Sequence, residues 1–277
     1  MATVSELIEE RFGVKPEGEL NTIAEGTIEN ILSRRSHRKY TSEPIPDDVL
    51  ETLLACAQSA PAKSDLQQFS IIKIKDEDLR QSIFNLNPST HWFAEAPVAL
   101  VFCGDMRRGQ RLTKWKGHDH GNNTVDTFMN ASVDAALAMM NFITAAESIG
   151  LGCCPVSNIR VTVNEISELL GLPEGVFPIA GLGVGYPEDA PLTSMRLPPA
   201  LVIHEDRYDD ADLETELAAY DARRNQRRAI PPEKQMHKDT FGISEQYGWS
   251  ENTARRLALQ ERNEFTAYIK SQGFKLG

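Results

Sequence analysis

The residues best suited to chemistry lie in a short basic run, Arg34-Arg35-Ser36-His37-Arg38-Lys39-Tyr40. Three arginines in five positions, with a serine hydroxyl among them, suit bidentate capture of a phosphate or another planar anion. The run reads equally well as a solvated basic turn. Three further segments carry groups that hold ligands without reacting. Ser59-Ala60-Pro61-Ala62-Lys63-Ser64-Asp65-Leu66-Gln67 is a small polar loop just ahead of a strand. Gly150-Leu151-Gly152-Cys153-Cys154-Pro155-Val156-Ser157-Asn158 combines glycine and proline so that the backbone runs close to a flat ligand. Ser194-Met195-Arg196-Leu197-Pro198 follows a buried strand and adds one arginine. Taken singly, the first of these is an ordinary connection and Arg196 a surface residue.

Other chemistries find no support. There is no Gly-x-Ser-x-Gly and no cysteine in a basic setting, so no catalytic nucleophile is expected. The glycines around 150 do not form a dinucleotide fingerprint after a long strand. His118-Asp119-His120 reads as a solvated loop rather than a metal pair, and no Cys/His spacing fits structural zinc. Cys153-Cys154 reads as buried, inert thiols. Four cysteines without a Cys-x-x-Cys suit a reducing, cytoplasmic setting.

The 277 residues hold 29 Lys+Arg against 40 Asp+Glu, a net charge of −11. That balance argues against nucleic-acid backbone binding and against docking on anionic lipid. The richest apolar stretch, Ala131–Ala146, is interrupted by Asp134 and Asn141 and is no membrane span. The N-terminus lacks an export pattern.

These segments need elements to position them. Residues 1–27 read as a polar leader with one short helix. A helix is expected over Ile28–Ser33, capped by Thr27. Pro46 with Asp47 and Asp48 starts a helix carrying Leu50, Leu53, Leu54 and Ala57. Phe69–Lys75 alternates and is β-branched, hence a strand, and Asp76–Leu86 is amphipathic. Pro97–Cys103 and Val176–Gly185 are continuous apolar runs, expected as central strands covered on both faces. Gly104–Asn123 reads as a long polar loop. Thr124–Ser148 is apolar nearly all round, so it belongs in a core or a subunit interface. Gly152–Ser157 is a short strand, and Thr162-x-x-Glu165 is a capping box. Beyond Pro198, Glu205–Arg228 and Ser250–Gln272 read as polar helices with little core of their own. The alternation predicts an α+β fold: a mixed β-sheet flanked by helices on both faces. One domain over 1–277 is expected, with a core at about 28–205 and a helical extension at about 206–277.

The order of the segments resembles the FMN-dependent nitroreductase family. The resemblance rests on Arg35-Ser36-His37-Arg38-Lys39-Tyr40-Thr41-Ser42-Glu43-Pro44-Ile45, then on Leu66-Gln67 leading into Ser70-Ile71-Ile72-Lys73-Ile74. It continues with Ala146-Glu147-Ser148-Ile149-Gly150-Leu151-Gly152, with Gly181-Leu182-Gly183-Val184-Gly185-Tyr186-Pro187, and with Arg196-Leu197-Pro198. Within the family the chain is most similar to the NADPH-preferring, oxygen-insensitive nitroreductase and flavin reductase branch. The match is strong over Ile28–Glu205 and weak in the tail.

The resemblance implies a nitroreductase-like fold whose C-terminal tail wraps a second copy of the chain. It implies an enzyme that reduces nitroaromatics, quinones or free flavin by ping-pong hydride transfer through FMN. NADPH is the implied donor, with NADH also possible. A non-catalytic flavin-binding protein on the same fold is the alternative. The implied phosphate ligands are Arg34, Arg35, Ser36 and Arg196, with Ser194 as a neutral donor where the family often has Lys. His37 falls within the same cofactor motif, and Arg38 is implied to lie against the pyrimidine side of the flavin. A ring-contacting Gln of the family falls on Thr90. The glycine-rich turn under the ring matches Pro155, Val156, Ser157 and Asn158. Ala62, Lys63, Ser64 and Gln67 match a loop that reaches the flavin from the opposite subunit. Arg262 aligns with an arginine near the nucleotide, and Arg227 and Arg228 with another basic stretch. Those tail arginines read alternatively as helix-surface charge, Arg262 pairing with Glu261 and Glu264. The chemistry belongs to FMN, so no catalytic side chain and no metal are implied. The implied partners are a second copy and small-molecule electron acceptors, with no nucleic acid and no membrane.

Overall fold

The computed structural model describes residues 2–16 and 25–276. The chain order is α1 (Val4–Phe12), α2 (Gly26–Ser33), α3 (Asp47–Gln58), β1 (Phe69–Ile74), α4 (Glu77–Leu86), α5 (His91–Glu95), β2 (Val98–Asp105), α6 (Arg107–Trp115) and α7 (Val125–Ser148). It continues through β3 (Gly152–Val156), α8 (Val163–Leu169), β4 (Val176–Gly185), α9 (Leu213–Arg228), α10 (Lys238–Phe241), α11 (Trp249–Leu257) and α12 (Phe265–Ser271). The leader expected over 1–27 holds one short helix, α1; its residues 17–24 lie outside the described residues. Two compact units result: Met1–Arg34 with Leu192–Glu261, and Arg35–Pro191 with Arg262–Gly277.

The larger unit is built on one four-stranded sheet in the order β1-β2-β4-β3. All three strand pairings are antiparallel, and among the described residues the parallel component is confined to isolated bridges, Ser36 with Cys153 and Thr124 with Lys275. The apolar runs of β2 and β4 are buried along nearly their whole length, as both-face coverage requires. Side-chain alternation divides β2 between two cores. Leu100 and Phe102 join Leu53, Phe142 and Leu182 on the α3/α7 side. Val101 and Cys103 join Ile83, Phe93 and Ile166 on the opposite side.

Three alternating glycines of β4 clear a surface for their neighbours. A Cβ at Gly181 would sit 2.9 Å from the Phe93 ring, and one at Gly185 would sit 2.6 Å from Pro97 Cδ and 2.9 Å from Tyr40 Cδ1. Gly183 faces Ala96 and the Tyr40 hydroxyl. A side chain at any of the three would lift α5 and the segment containing Tyr40 off the sheet.

Several expectations need correction. Thr27 does not cap α2. The helix begins at Gly26, whose φ of 56° makes the entry turn, and the N-cap is Glu25 without a side-chain bond. The capping box at Thr162 is not formed either. Its ψ of 54° is not the extended geometry a cap needs, and its hydroxyl instead accepts from Asn87 Nδ2 at 3.1 Å. The loop expected over Gly104–Asn123 contains α6, whose first turn is held by Arg108 N donating to Asp105 Oδ1 at 3.0 Å.

The tail breaks into four helices rather than two, and it has more core than its polarity suggested. Phe265, Tyr268, Ile269 and Phe274 pack with Met106, Val163 and Phe177 in the larger unit. Ser167 Oγ lies 2.7 Å from the Tyr268 hydroxyl oxygen there.

In the smaller unit, α1 is stopped at both ends. Thr3 and Glu6 form a capping box, and Gly13 closes the helix at φ 70°. A Cβ at Gly13 would stand 2.4 Å from Met195 Cε, so the chain meets the 194–196 loop closely at that point. From α9, the Tyr220 hydroxyl donates to Met195 O at 3.2 Å.

Candidate cofactor site

In the larger unit the basic motif is tied to the sheet edge. His37 N donates to Cys153 O at 3.1 Å, beside the Ser36–Cys153 bridge. Gly152 is required here, because a Cβ would stand 2.7 Å from His37 Cβ. Downstream, the Tyr40 hydroxyl sits 2.6 Å from His37 O and 3.1 Å from Gly183 O. Burial pushes that phenol well above its ordinary pKa, so it stays a donor. Arg35 donates to Pro191 O at 3.1 Å. Arg38 is exposed, and its guanidinium lies 5.3 Å from the centroid of the Trp92 ring. Trp92 Nε1 is buried and has no hydrogen-bond partner among the described residues.

The turn after β3 meets the same neighbourhood. Asn158 Nδ2 donates to Ser89 Oγ at 2.9 Å, joining residues 155–158 to the 88–90 turn. Thr90 is buried, and its hydroxyl donates to Asn87 O at 2.9 Å, which leaves only lone pairs for a ligand. Arg262 enters from the tail. Its φ is 56°, and Nη2 donates to Ser157 Oγ at 3.2 Å. Arg160 is close enough for the Arg262 charge to matter. Burial, and then Arg262, lower its pKa, and its guanidinium donates to Ile179 O and lies 5.9 Å from the Phe265 ring centroid. Ser36 and His37 are thus tied to β3, the turn after β3 meets Ser89 through Asn158 and Arg262 through Ser157, and Arg38 faces Trp92, so four separate segments contribute.

The loop carrying Ala62, Lys63, Ser64 and Gln67 has an unusual backbone. Ser64, Asp65 and Gln67 all have left-handed φ, at 49°, 57° and 49°. Non-glycine residues hold that conformation at about 1–3 kcal/mol each, so the surroundings must over-determine it. Asp134, buried on α7, does part of this. Its carboxylate accepts from Lys63 N at 3.1 Å and from Gln68 N at 2.9 Å. On the other side Arg108 donates to Gln67 O at 2.7 Å and to Phe69 O at 3.0 Å. Asp134 and Arg108 escaped the sequence reading. The only signal for Asp134 was a carboxylate inside an apolar helix.

In the smaller unit lie Arg34, Ser194, Arg196, Arg227 and Arg228. Arg11 of α1 donates to Ser194 O at 3.1 Å and also to Arg34 O, and Arg196 N donates to Arg11 O at 2.8 Å. Thr193 Oγ1 and Arg223 Nε and Nη2 are buried without hydrogen-bond partners among the described residues. Arg227 is partly committed, because its guanidinium donates to the carbonyls of Glu9 and Glu10 at the end of α1. With Arg224, Arg228 and Lys234 it also lines a cavity of about 540 Å³ that Thr193 and Ser194 border.

Known proteins share this architecture. The Nitroreductase family profile matches residues 31–186, and that of the Nitroreductase family, C-terminal domain, matches residues 194–277. The chain is 32% identical over 253 residues to the FMN reductase [NAD(P)H] of Bacillus subtilis, covering 90% of this chain and 98% of that one. It is 34% identical over 248 residues to the oxygen-insensitive NADPH nitroreductase of Salmonella typhimurium, with the same coverage. Its fold superposes on the NADPH:FMN oxidoreductase of Vibrio harveyi, solved with NAD+, at a TM-score of 0.79 and 28% identity, covering 90% of this chain and 98% of that one. With both profiles in register along most of its length, the chain belongs to the nitroreductase family.

Proposed function

We propose that this protein is an FMN-dependent NAD(P)H oxidoreductase that passes hydride equivalents to nitroaromatics, quinones or free flavin. The observation that carries the reading is the convergence of the basic motif, the Ser157–Asn158 turn, Trp92 and Arg262 in the larger unit. The names of its relatives, FMN reductase and NADPH nitroreductase, support it.

The residues present fit a flavin mononucleotide. Buried donors without partners among the described residues, Thr193 Oγ1 and Arg223 Nε and Nη2, suit an anion in the smaller unit, and Trp92 Nε1 is a further such donor. We assign the phosphate to the residues that the family motifs imply, Arg34, Arg35, Ser36, Ser194 and Arg196. His37 and Arg38, Thr90, and the backbone of Pro155, Val156, Ser157 and Asn158 are assigned to the ring. When bound, FMN supplies the hydride transfer. Arg38 brings positive charge to the pyrimidine side, where negative charge gathers on reduction. Asp134 and Arg108 hold the Lys63–Gln67 loop in the form in which Ala62, Lys63, Ser64 and Gln67 would approach the ring of a partner subunit.

A homodimer is part of this proposal. One face of α7 is buried through Ala135, Ala138 and Phe142, while Val125, Met129, Val133, Leu137 and Met140 stand exposed on another. A stripe of that kind on one helix suits a subunit interface. We assign the nucleotide to Arg262, with Arg227 and Arg228 in support, and NADPH as donor. A reducing, cytoplasmic setting suits the four free cysteines.

The test is an anaerobic titration of the FMN-loaded protein. NADPH is expected to bleach the flavin absorbance, and a nitroaromatic or quinone to restore it. A flavin that neither NADPH nor NADH bleaches would refute the enzyme reading.

A further inference from the structure

We propose that Arg11, on the N-terminal helix α1, is a positioning residue for the cofactor phosphate. This inference rests on the flavin-binding reading and on the assignment of Arg34 and Arg196 to the phosphate. Helix α1 precedes both family matches, which begin at residues 31 and 194. Nothing in the family motifs therefore assigns it a role.

The geometry is that of a clasp. Arg11 is 5% exposed, and its guanidinium is threaded among backbone carbonyls of two segments far apart in sequence. Nε donates to Leu32 O at 2.9 Å and Nη2 to the same oxygen at 2.7 Å. Nη2 also donates to Arg34 O, and Nη1 donates to Ser194 O at 3.1 Å. The Arg11 carbonyl closes the circuit by accepting from Arg196 N at 2.8 Å. One residue thereby ties the backbone of Arg34 to the loop of Ser194 and Arg196.

The physical consequence follows from the planar fork. Five N–H donors in fixed directions impose a spacing on the carbonyls they bind, and a flexible ammonium cannot reproduce it. The Arg34 and Arg196 side chains are long and rotamer-rich, so their convergence on one anion is only as well defined as the backbones that carry them. The clasp also brings a buried positive charge to the same node, which favours a dianion nearby. The helix is built to hold this position. Its left-handed Gly13 against Met195 and the Arg227 bonds at its C-terminus fix its placement on the 194–196 loop.

The measurement compares dissociation constants of FMN and riboflavin, which differ by the phosphate alone. Full-length Arg11→Ala, Arg11→Lys, Arg196→Ala and Thr3→Val are prepared as apoproteins, with folding checked by circular dichroism. Arg196→Ala sets the scale for losing a direct phosphate contact. Arg11→Ala is expected to weaken FMN by about ten- to a hundredfold while riboflavin changes by less than about threefold, and Arg11→Lys to recover part of the loss. Thr3→Val loosens the far end of α1 and is expected to leave the FMN-to-riboflavin ratio unchanged. If Arg11→Ala proves unstable, Arg11→Gln provides the same ratio. Equal weakening of both flavins by the Arg11 variants, with Arg196→Ala still selective, would overturn the inference and leave the functional reading standing. A wild type that binds riboflavin as tightly as FMN would overturn the phosphate assignment, and this inference with it.

Discussion

Asp134 Oδ2 accepts the backbone N–H of Gln68 at 2.9 Å, across 66 residues of sequence. The second oxygen of the same carboxylate takes Lys63 N, so one buried side chain brackets a loop with three left-handed, non-glycine residues. Replacing Asp134 with Asn leaves one oxygen to accept and turns an amide N–H toward a backbone donor. Asp134→Asn is expected to speed hydrogen exchange over residues 62–68 and to lower stability by about 1–3 kcal/mol, the cost of an unsatisfied buried group. The exposed Asp78→Asn, on α4, serves as the control. Unchanged exchange across the loop would show that Arg108 alone holds it.

Arg262, proposed to read the nucleotide, sits at the Ser157 turn. Its Nη2 donates to Ser157 Oγ at 3.2 Å. Arg262→Ala is expected to raise KM for NADPH while leaving NADH nearly unchanged, with the difference shrinking at high salt. Parallel kcat/KM values for the two nucleotides decide this. If the substitution hurts both alike, Arg262 supports the turn and does not recognise the 2′-phosphate.

The exposed apolar stripe of α7 predicts the assembly. An obligate interface would cover it with more than about 2,000 Å² of buried surface. Light scattering is expected to find a dimer at micromolar concentration, and Val133→Asp, which puts a charge in the stripe, is expected to dissociate it. A wild-type monomer that retains FMN would remove the basis for placing Ala62–Ser64 in a partner's site.

The thiols are expected to differ in reactivity. Burial, and then Asp105, push the Cys103 thiol up to about 12, so at pH 8 only about one molecule in ten thousand carries the thiolate. Cys153 and Cys154 are buried in β3, and Cys56 is half-buried on α3. A thiol-specific reagent is expected to modify Cys56 first in the native protein, with the other three reacting only on unfolding. Rapid labelling of Cys153 or Cys154 would contradict the reading of that pair as inert.

Much of the architecture was legible in the residues. The apolar runs that became β2 and β4, the Asp47 start of α3 and the long α7 are local patterns, because burial repeats with the period of the element it covers. The alternating Gly181, Gly183 and Gly185 were visible too, though not that they make room for Phe93, Tyr40 and Pro97. Side-chain polarity misled at α6, where a run dense in Arg and Lys concealed a helix whose first turn Asp105 holds. It misled again in the tail, where four apolar residues of Phe265–Phe274 suffice to complete a core.

What only the tertiary structure decided are the long-range bonds to the main chain. Arg11 reaches Ser194 O across 183 residues, and Asp134 takes Gln68 N across 66. Every residue offers a carbonyl, and every residue except proline an N–H, so an arginine or aspartate destined for a distant backbone group leaves no partner motif to find. The sequence alone determined which segments form the sheet and which carry charge, and its resemblance to a family implied a phosphate-bearing flavin. Burial, by stripping water from Arg11 and Asp134 and requiring their bonds to be made within the protein, decided which backbone each would hold.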